Sequence, residues 1–554
     1  MPTVVLKTQR MSELLGRKLS VAELERLVPW LGVDIEETGE DYVKIEYNPN
    51  RPDFSSQEGI ARALRGFMEI ETGLPSYSVE RGSIVLNVDP SVLPVRPWIV
   101  CGVVRGIKLD EERILEIIGM QEDLDWAIGR NRAKSSIGLH NLDAVKPPFT
   151  YRAVDPNEVR FVPLDIDIEM TPREILAKHP KGVMYAHILK DADKYPLITD
   201  SEGNVLSFPP IINGVLTRVT EETRNLFIDV TGTSLNAVMA TLSILVTAFA
   251  EMGGHLEHVT VNYPDKTLIT PDLTPSRWSL SVDYVNKLLG LKLKPKTIAK
   301  CLEKARLGVE RMGKTLSVLV PAYRYDIMHE VDLVEEVAIG YGYFNLEPTV
   351  PRTVTVASQN PVQKLSNKVR LIMVGFGFME VVNFTLANYK EHYEYMRLHG
   401  DPVRLLNPIS AEYDIMRSHL LPCLLKVIST NKHEPFPQMI FEVGDVAVLD
   451  DRAETGASRE LHLAGAVTHV EANFTEIKSI AEGVLRELNV RGYVFKAADH
   501  PSFTPGRCAE VDVNGNVIGV VGEIHPEVLE NFELETPVVA FEINLNSLFK
   551  SYKG

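Results

Sequence analysis

The rhythm of hydrophobic and polar positions divides the chain into residues 1–90, 91–265, 266–350 and 351–554. In the first region VVLKT and DYVKIEY read as short strands among helices, an α/β module. Its stretch NPNRPDFSSQEGIARALRGFM predicts a turn at Pro52 and Asp53, then a capping box of Ser55 and Glu58. Ile60, Leu64, Phe67 and Met68 follow at helical spacing and face a core. The second region opens on a strand pair in PWIVCGVVRGIKL and closes on FPPIINGVLTRVT, LFIDVTGTS and an apolar helix over about 235–252. That order predicts a helix packed on a sheet.

The third region lies between the proline-rich joints TPDLTPS and EPTVPRT. It holds two helices (VDYVNKLLG, KTIAKCLEKARLG), the strand TLSVLVP and an acidic stretch, RYDIMHEVDLVEEVAIGYGY. The fourth carries helices in LSNKVRLIMVGFG and EIKSIAEGVLRELN. Its strands MEVVNFTL, QMIFEVGDVAVL, CAEVDVNG, NVIGVVGEI and PVVAFEINL run in sequential pairs, so an antiparallel α+β domain is expected.

A length of 554 residues fits this multidomain reading, at roughly 100–200 residues per domain. The apolar helix contains Asn236, Thr241, Ser243 and Thr247 and lacks basic flanks, so it is expected to be buried in protein rather than in a membrane. The N-terminus has no signal pattern. Four scattered cysteines without a CxxC pair argue against a zinc ribbon and fit a reduced, cytoplasmic chain. A net charge of −17 opposes a chain-wide grip on nucleic acid, which needs lysine and arginine against phosphates. One region departs from that balance. Residues 281–315 carry nine basic and three acidic residues, either exposed lysines on helix faces or a contact for an RNA backbone.

Gly308–Thr315, GVERMGKT, matches the phosphate-loop pattern G-x-x-x-x-G-K-[ST]. Such a loop needs a strand before it and a helix after it. Here a helix precedes and a strand follows, and Glu310 would repel phosphate. A β-turn between strands is expected instead.

At about 100° per residue, Asp332, Glu335 and Glu336 share one helix face. Leu333, Val334, Val337, Ala338 and Tyr341 fill the other, and Gly340 and Gly342 stop the helix. Asp326 precedes the helix and can fold back onto the acidic face. Two readings stay open from spacing alone: a solvated face, or carboxylates holding Mg²⁺. LFIDVTGTS leaves a similar choice. Asp229 and Thr231 can cap a turn, or can orient water beside helix-start amides.

The acidic stretch resembles the fifth module of the phenylalanyl-tRNA synthetase beta-subunit family. NPNRPDFSSQEGIARAL resembles that family's N-terminal signature. NPISAEYDIMRSHLLPCLL, FEVGDV, FTPGR and VGEIHPEVL resemble its C-terminal module. The resemblance spans all four regions in order. It is to the shorter archaeal and eukaryotic-cytosolic type, which pairs with an alpha subunit as an α2β2 heterotetramer.

The resemblance implies Mg²⁺ at Asp326, Asp332, Glu335 and Glu336, facing the alpha subunit. It implies that the holoenzyme joins phenylalanine to tRNA-Phe with ATP, used at the alpha subunit. Residues 351–554 would be a class II synthetase-like domain without catalytic residues, since the expected strand offers Glu442 and no arginine, and Arg507 is a lone candidate. Residues 91–265 would be an editing domain that hydrolyses mischarged Tyr-tRNA, because a phenylalanine pocket rejects an added hydroxyl only weakly, by about 100-fold in a comparable case. Its site would use Asp229 and Thr231 for chemistry and Leu197, Ser207 and Asn213 for the substrate. Residues 266–350 would be a helical module resembling DNA-binding folds. The rival readings are a scaffold subunit without hydrolytic activity and a nucleic-acid-binding regulator acting through residues 266–350.

Overall fold

A computed structural model of the chain describes residues 2–351 and 355–551. It divides into two compact units, Met1–Val350 and Pro351–Gly554.

The first unit begins with a three-stranded antiparallel sheet, Tyr42–Glu46 lying between Thr3–Lys7 and Asp34–Thr38. The helix expected after the turn runs over Gln57–Phe67, and Ile60 and Leu64 are fully buried. Its cap differs from the expected box. Pro52–Phe54 form a 3-10 turn that carries through Ser55, so the extended cap position falls one residue later. Ser56 takes it, its hydroxyl accepting the Gly59 amide at 3.2 Å. Glu58 turns away to pair with Arg10 at 2.6 Å.

An eleven-stranded sheet dominates this unit. Strand Leu226–Gly232 lies antiparallel between Trp98–Arg105 and Ser135–Asn141. The strand pair expected in PWIVCGVVRGIKL is one strand, because Gly106, at φ 69°, turns the chain toward helix Glu111–Trp126. Val79–Glu80 and Val85–Val88 pair with His255–Asn262, and so does Thr267–Thr270. The boundaries expected at 90 and 265 therefore cut through one sheet.

The apolar helix spans Leu235–Glu251 and packs on this sheet through Leu242, Leu245, Val246 and Phe249. Its buried polar residues Thr241, Ser243 and Thr247 are satisfied within the fold, and Asn236 is exposed. The Thr247 hydroxyl donates to Ser243 O at 2.8 Å, and Thr241 Oγ1 lies 3.3 Å from Ser135 Oγ. At its end, Glu251 accepts the Tyr77 hydroxyl at 2.6 Å and pairs with Arg62 and Arg65. This ties the N-terminal helix to the large sheet. Among the described residues no helix is long and apolar enough to cross a membrane.

Residues 276–341 add a three-stranded sheet, Ser276–Ser281, Thr315–Val320 and Gly308–Arg311, with three helices. GVERMGKT is the hairpin joining the last two strands, with Val309 opposite Val318, as the context of the motif required. Helix Glu330–Tyr341 crosses helix Pro295–Lys304 closely. A Cβ built at Gly340 would stand 2.4 Å from Cys301 O.

The second unit is a seven-stranded sheet, antiparallel except at its Met379–Glu380 edge. MEVVNFTL is not one strand. Met379–Glu380 joins this sheet, and Leu386–Ala387 pairs separately with Ile415–Met416. Long strands Gln438–Leu449 and Ala457–Thr468 pair along their full length.

Within this sheet Glu542 accepts the Leu420 and Leu421 amides at 3.0 Å and lies 2.7 Å from His462 Nδ1. Burial alone would raise the Glu542 carboxyl, but the His462 hydrogen bond and charge bring it down to about 2. Burial would lower His462, but Glu460 and Glu542 bring it up to about 9. Glu542 therefore contributes fully above the unfolded glutamate value of about 4.3 and loses its contribution as pH falls toward 2. His462 contributes fully below about 6.5 and loses its contribution as pH rises through 9. The pair stabilises most between about pH 4.3 and 6.5. Calorimetry of the full chain is expected to show one transition falling between pH 6.5 and 9, and that fall should be largely absent in His462→Gln.

Candidate functional site

Three of the five residues singled out in the second region meet around one cavity of about 370 Å³. Ser207, Asn213 and Asp229 line it, with apolar walls from Ile114, Ile117 and Ile137. Antiparallel register sets the geometry. Asp229 stands opposite Gly138, and Phe227 opposite His140. Asp229, Gly138 and His140 thus share one face of the sheet. Asp229 Oδ2 lies 2.7 Å from His140 Nε2, and His140 Nδ1 lies 2.8 Å from Thr217 Oγ1. Ser207 donates to Asn213 Oδ1 at 3.0 Å, and the Asn213 amide donates to Leu139 O at 3.3 Å.

Leu197 and Thr231 do not reach this cavity. Leu197 packs in the apolar core with Phe161, Phe208 and Ile211. Thr231 lies on the same face of the strand as Asp229, but its hydroxyl is taken up, accepting from Arg96 Nε at 2.9 Å and lying 3.1 Å from Ser136 Oγ. Neither Asp229 nor Thr231 caps the following helix, whose N-cap is Ser234. The Thr233 amide is taken by Lys134 O at 3.0 Å, so it is not free for an oxyanion.

Arg132 also lines the cavity. It donates to Pro210 O and Ile211 O at 3.3 and 3.0 Å, lies on the Tyr185 ring and pairs with Asp125 at 3.0 Å. Burial pushes the Asp125 carboxyl up to about 7 against the pull of Arg132 and Arg96. No periodic signal marks His140, Arg132 or Arg96 in the sequence. Only the strand register brings His140 to Asp229.

The acidic helix forms a second locus, over Glu330–Tyr341. On its apolar face Leu333, Val334, Val337 and Ala338 are buried as expected, and Tyr341 is half-buried. Its acidic face is not simply solvated. Glu336 is 5% exposed and accepts from Arg324 at 2.5 Å. Asp326 takes two bonds from the same guanidinium, at 2.8 and 2.6 Å. Arg51 grips Asp53 in the same two-pronged way, at 2.9 Å for each bond, and lies 3.8 Å from Glu336. Asp332 is occupied by the backbone, its Oδ2 accepting the Met328 and His329 amides at 2.7 Å. Only Glu335 is exposed. Burial, then Glu336 and Asp332, push its carboxyl up.

Magnesium needs carboxylate oxygens converging near 2.1 Å from one point. Here Arg324 occupies the space between Asp326 and Glu336, and Asp332 faces the helix start. Among the described residues no three His, Cys, Asp or Glu side chains are grouped to hold a metal. As arranged, the four acids do not fit a shared Mg²⁺, and no chemical step is assigned to one.

Comparison with known proteins agrees with this architecture. The tRNA synthetase B5 domain matches residues 278–343, and the phenylalanyl tRNA synthetase beta chain CLM domain matches residues 346–545. The phenylalanine–tRNA ligase beta subunit of Archaeoglobus fulgidus is 49% identical over 553 residues, 99% of each chain. That of Methanocaldococcus jannaschii is 45% identical over 551 residues, 98% of this chain and 100% of the relative. The crystal structure of an N-terminal fragment of the phenylalanyl-tRNA synthetase beta subunit from Pyrococcus horikoshii is similar at 42% identity and a TM-score of 0.59, covering 62% of this chain and all of the fragment. The chain belongs to the phenylalanyl-tRNA synthetase beta-subunit family.

Proposed function

We propose that this chain works beside an alpha subunit in the ATP-dependent attachment of phenylalanine to its tRNA in the cytoplasm, and that the Asp229 cavity hydrolyses tRNA mischarged with tyrosine. The observation that carries the second part is the meeting of Ser207, Asn213 and Asp229 around one cavity. The Ser207–Asn213 pair offers a donor and an acceptor to a phenol hydroxyl, and phenylalanine has no hydroxyl to use them. A polar site discriminates far better in that direction than an apolar pocket can.

Asp229 Oδ2 is occupied by His140, which leaves Oδ1 to hold water. Water adds to the ester carbonyl and its proton passes to Asp229. The ribose oxygen then leaves and takes up a proton, giving free tyrosine and uncharged tRNA.

Aminoacylation is assigned to the alpha subunit. In the second unit Arg417 is buried and held by Glu442 at 2.7 Å, and Arg507 is paired with Glu523 at 2.8 Å. Neither is left to clamp a triphosphate. The partner has a surface to use: Leu371, Val374, Met379, Val382 and Phe384 are all more than half exposed on and after helix Pro361–Gly375. Apolar exposure clustered in this way marks an interaction site.

The test is deacylation of Tyr-tRNA by the alpha–beta complex. Wild type is expected to hydrolyse it, and Asp229→Ala to slow it by about 100-fold or more. Deacylation by the variant at the wild-type rate would move the site elsewhere. A wild-type complex with no hydrolysis would leave a scaffold subunit.

A further inference from the structure

We propose that His140, backed by Thr217, is the positioning residue that sets the Asp229 carboxylate, and that Gly138 is the gap into which the pair fits; this rests on the hydrolytic reading above. Asp229 is 1% exposed and His140 is fully buried. A carboxylate so deep needs a donor. At 2.7 Å from His140 Nε2 it has one.

A carboxylate only accepts, so Nε2 carries the proton. In the neutral ring Nδ1 then accepts the Thr217 hydroxyl at 2.8 Å. If the ring gains a proton, Nδ1 donates instead and the Thr217 hydroxyl turns to Gly214 O at 3.3 Å. The chain Thr217–His140–Asp229 therefore keeps both ring nitrogens and the Thr217 hydroxyl paired, and leaves Asp229 Oδ1 to the cavity. The imidazole plane, and with it the carboxylate, stays fixed while Asp229 gains or loses a proton toward the cavity.

Gly138 makes this arrangement possible. It is the cross-strand partner of Asp229. A Cβ at this position would stand 2.0 Å from Asp229 Oδ2 and 2.7 Å from His140 Nε2. The backbone there is extended, so the requirement is for space and not for a left-handed turn. What points beyond a satisfied core histidine is that its partner, Asp229, lines the cavity.

The experiment measures single-turnover and steady-state deacylation of Tyr-tRNA by the alpha–beta complex. His140→Leu is expected to lower kcat by about 100-fold, the scale of a misplaced catalytic group, with KM close to wild type. His140→Gln, whose amide can still donate to Asp229, is expected to recover most of that loss. Gly138→Ala keeps both functional groups and should lower kcat as His140→Leu does. Thr217→Val should lower it less.

Equal losses in His140→Leu and His140→Gln, or a rise in KM at unchanged kcat, would make His140 a packing residue and overturn the proposal. So would full activity in His140→Leu. If His140→Leu does not fold, as judged by its melting profile, Gly138→Ala and Thr217→Val decide, and wild-type kcat in both overturns it. A wild-type complex that does not deacylate Tyr-tRNA overturns the hydrolytic reading and this inference with it. Loss in Asp229→Ala without loss in the His140 and Gly138 variants overturns this inference alone.

Discussion

Arg324→Met is expected to destabilise the Met1–Val350 unit by about 3–5 kcal/mol, the usual result of stranding buried charges. Methionine replaces the stem of the arginine and removes the fork that holds Asp326 and Glu336. Those side chains are 9% and 6% exposed, so water cannot take over. Arg51 is the nearest remaining cation, but it is 3.8 Å from Glu336 and committed to Asp53. Arg324→Lys keeps the charge without the two-carboxylate fork and should fall between. Removing the stranded acid in Arg324→Met/Glu336→Gln should restore part of the loss, because the two sites are in direct contact. Urea unfolding of the full chain measures all three. The same measurement bears on the metal. The wild-type midpoint is expected to be the same in EDTA and in millimolar Mg²⁺. A midpoint that falls in EDTA would show that the acids hold a cation and that the arginine pairing is secondary.

The acidic helix shows how far a sequence carries. Its apolar stripe and its end at Gly342 were legible, because both depend on spacing and on glycine within one segment; Gly340, expected to stop the helix as well, lies inside it, where the close crossing over Cys301 leaves no room for a Cβ. The fate of its acids was not. No Lys or Arg interleaves Asp332, Glu335 and Glu336, yet Arg324 opens the stretch, two residues before Asp326. The same Arg-x-Asp spacing recurs at Arg51 and Asp53, and both pairs close with nearly the same two-pronged geometry. That local signal was present. That Arg51 and Arg324 come to one helix was not, since it depends on packing between segments about 270 residues apart.

The candidate site follows the same division. Asp229 stands out in LFIDVTGTS, Ser207 and Asn213 come from the resemblance, and the fold brings the three together. Thr231 sits two residues from Asp229 on the same face of the strand, yet its hydroxyl is taken up by Arg96 and Ser136, partners that no reading of LFIDVTGTS alone supplies. His140 lacks any local mark. Its role comes from strand register, which in a large sheet is fixed by long-range pairing. The misplaced boundaries at 90 and 265 have the same cause. The edges expected at 90 and 265 rest on local changes of pattern, while strands on both sides of them enter one sheet.

Arg96→Lys should cost about 3 kcal/mol or more, and should also slow deacylation, although Arg96 touches no substrate in the proposed reaction. Arg96 is 1% exposed and uses its whole fork. It donates to Thr231 Oγ1 at 2.9 Å and Thr231 O at 2.8 Å, to Ala133 O at 3.3 Å, to Arg132 O at 3.0 Å and to Ser136 Oγ at 3.1 Å. The carbonyls it holds belong to an unusual turn. Arg130, Asn131 and Arg132 all have left-handed backbones, with φ of 47°, 52° and 68°. Each such residue without glycine costs about 1–2 kcal/mol, so three in a row persist only where the surroundings fix them. Arg96 supplies that fixing from inside the fold. The turn in turn places the Arg132 side chain against Pro210 and Ile211 in the cavity wall. A lysine ammonium can reach one or two of these acceptors and leaves the rest buried without donors. The turn is then expected to relax and to withdraw Arg132 from the wall. Urea unfolding and Tyr-tRNA deacylation, measured together, separate the two effects. A stability loss with unchanged deacylation would confine Arg96 to the fold, and wild-type behaviour in both would mean that the left-handed turn is held by something other than this guanidinium.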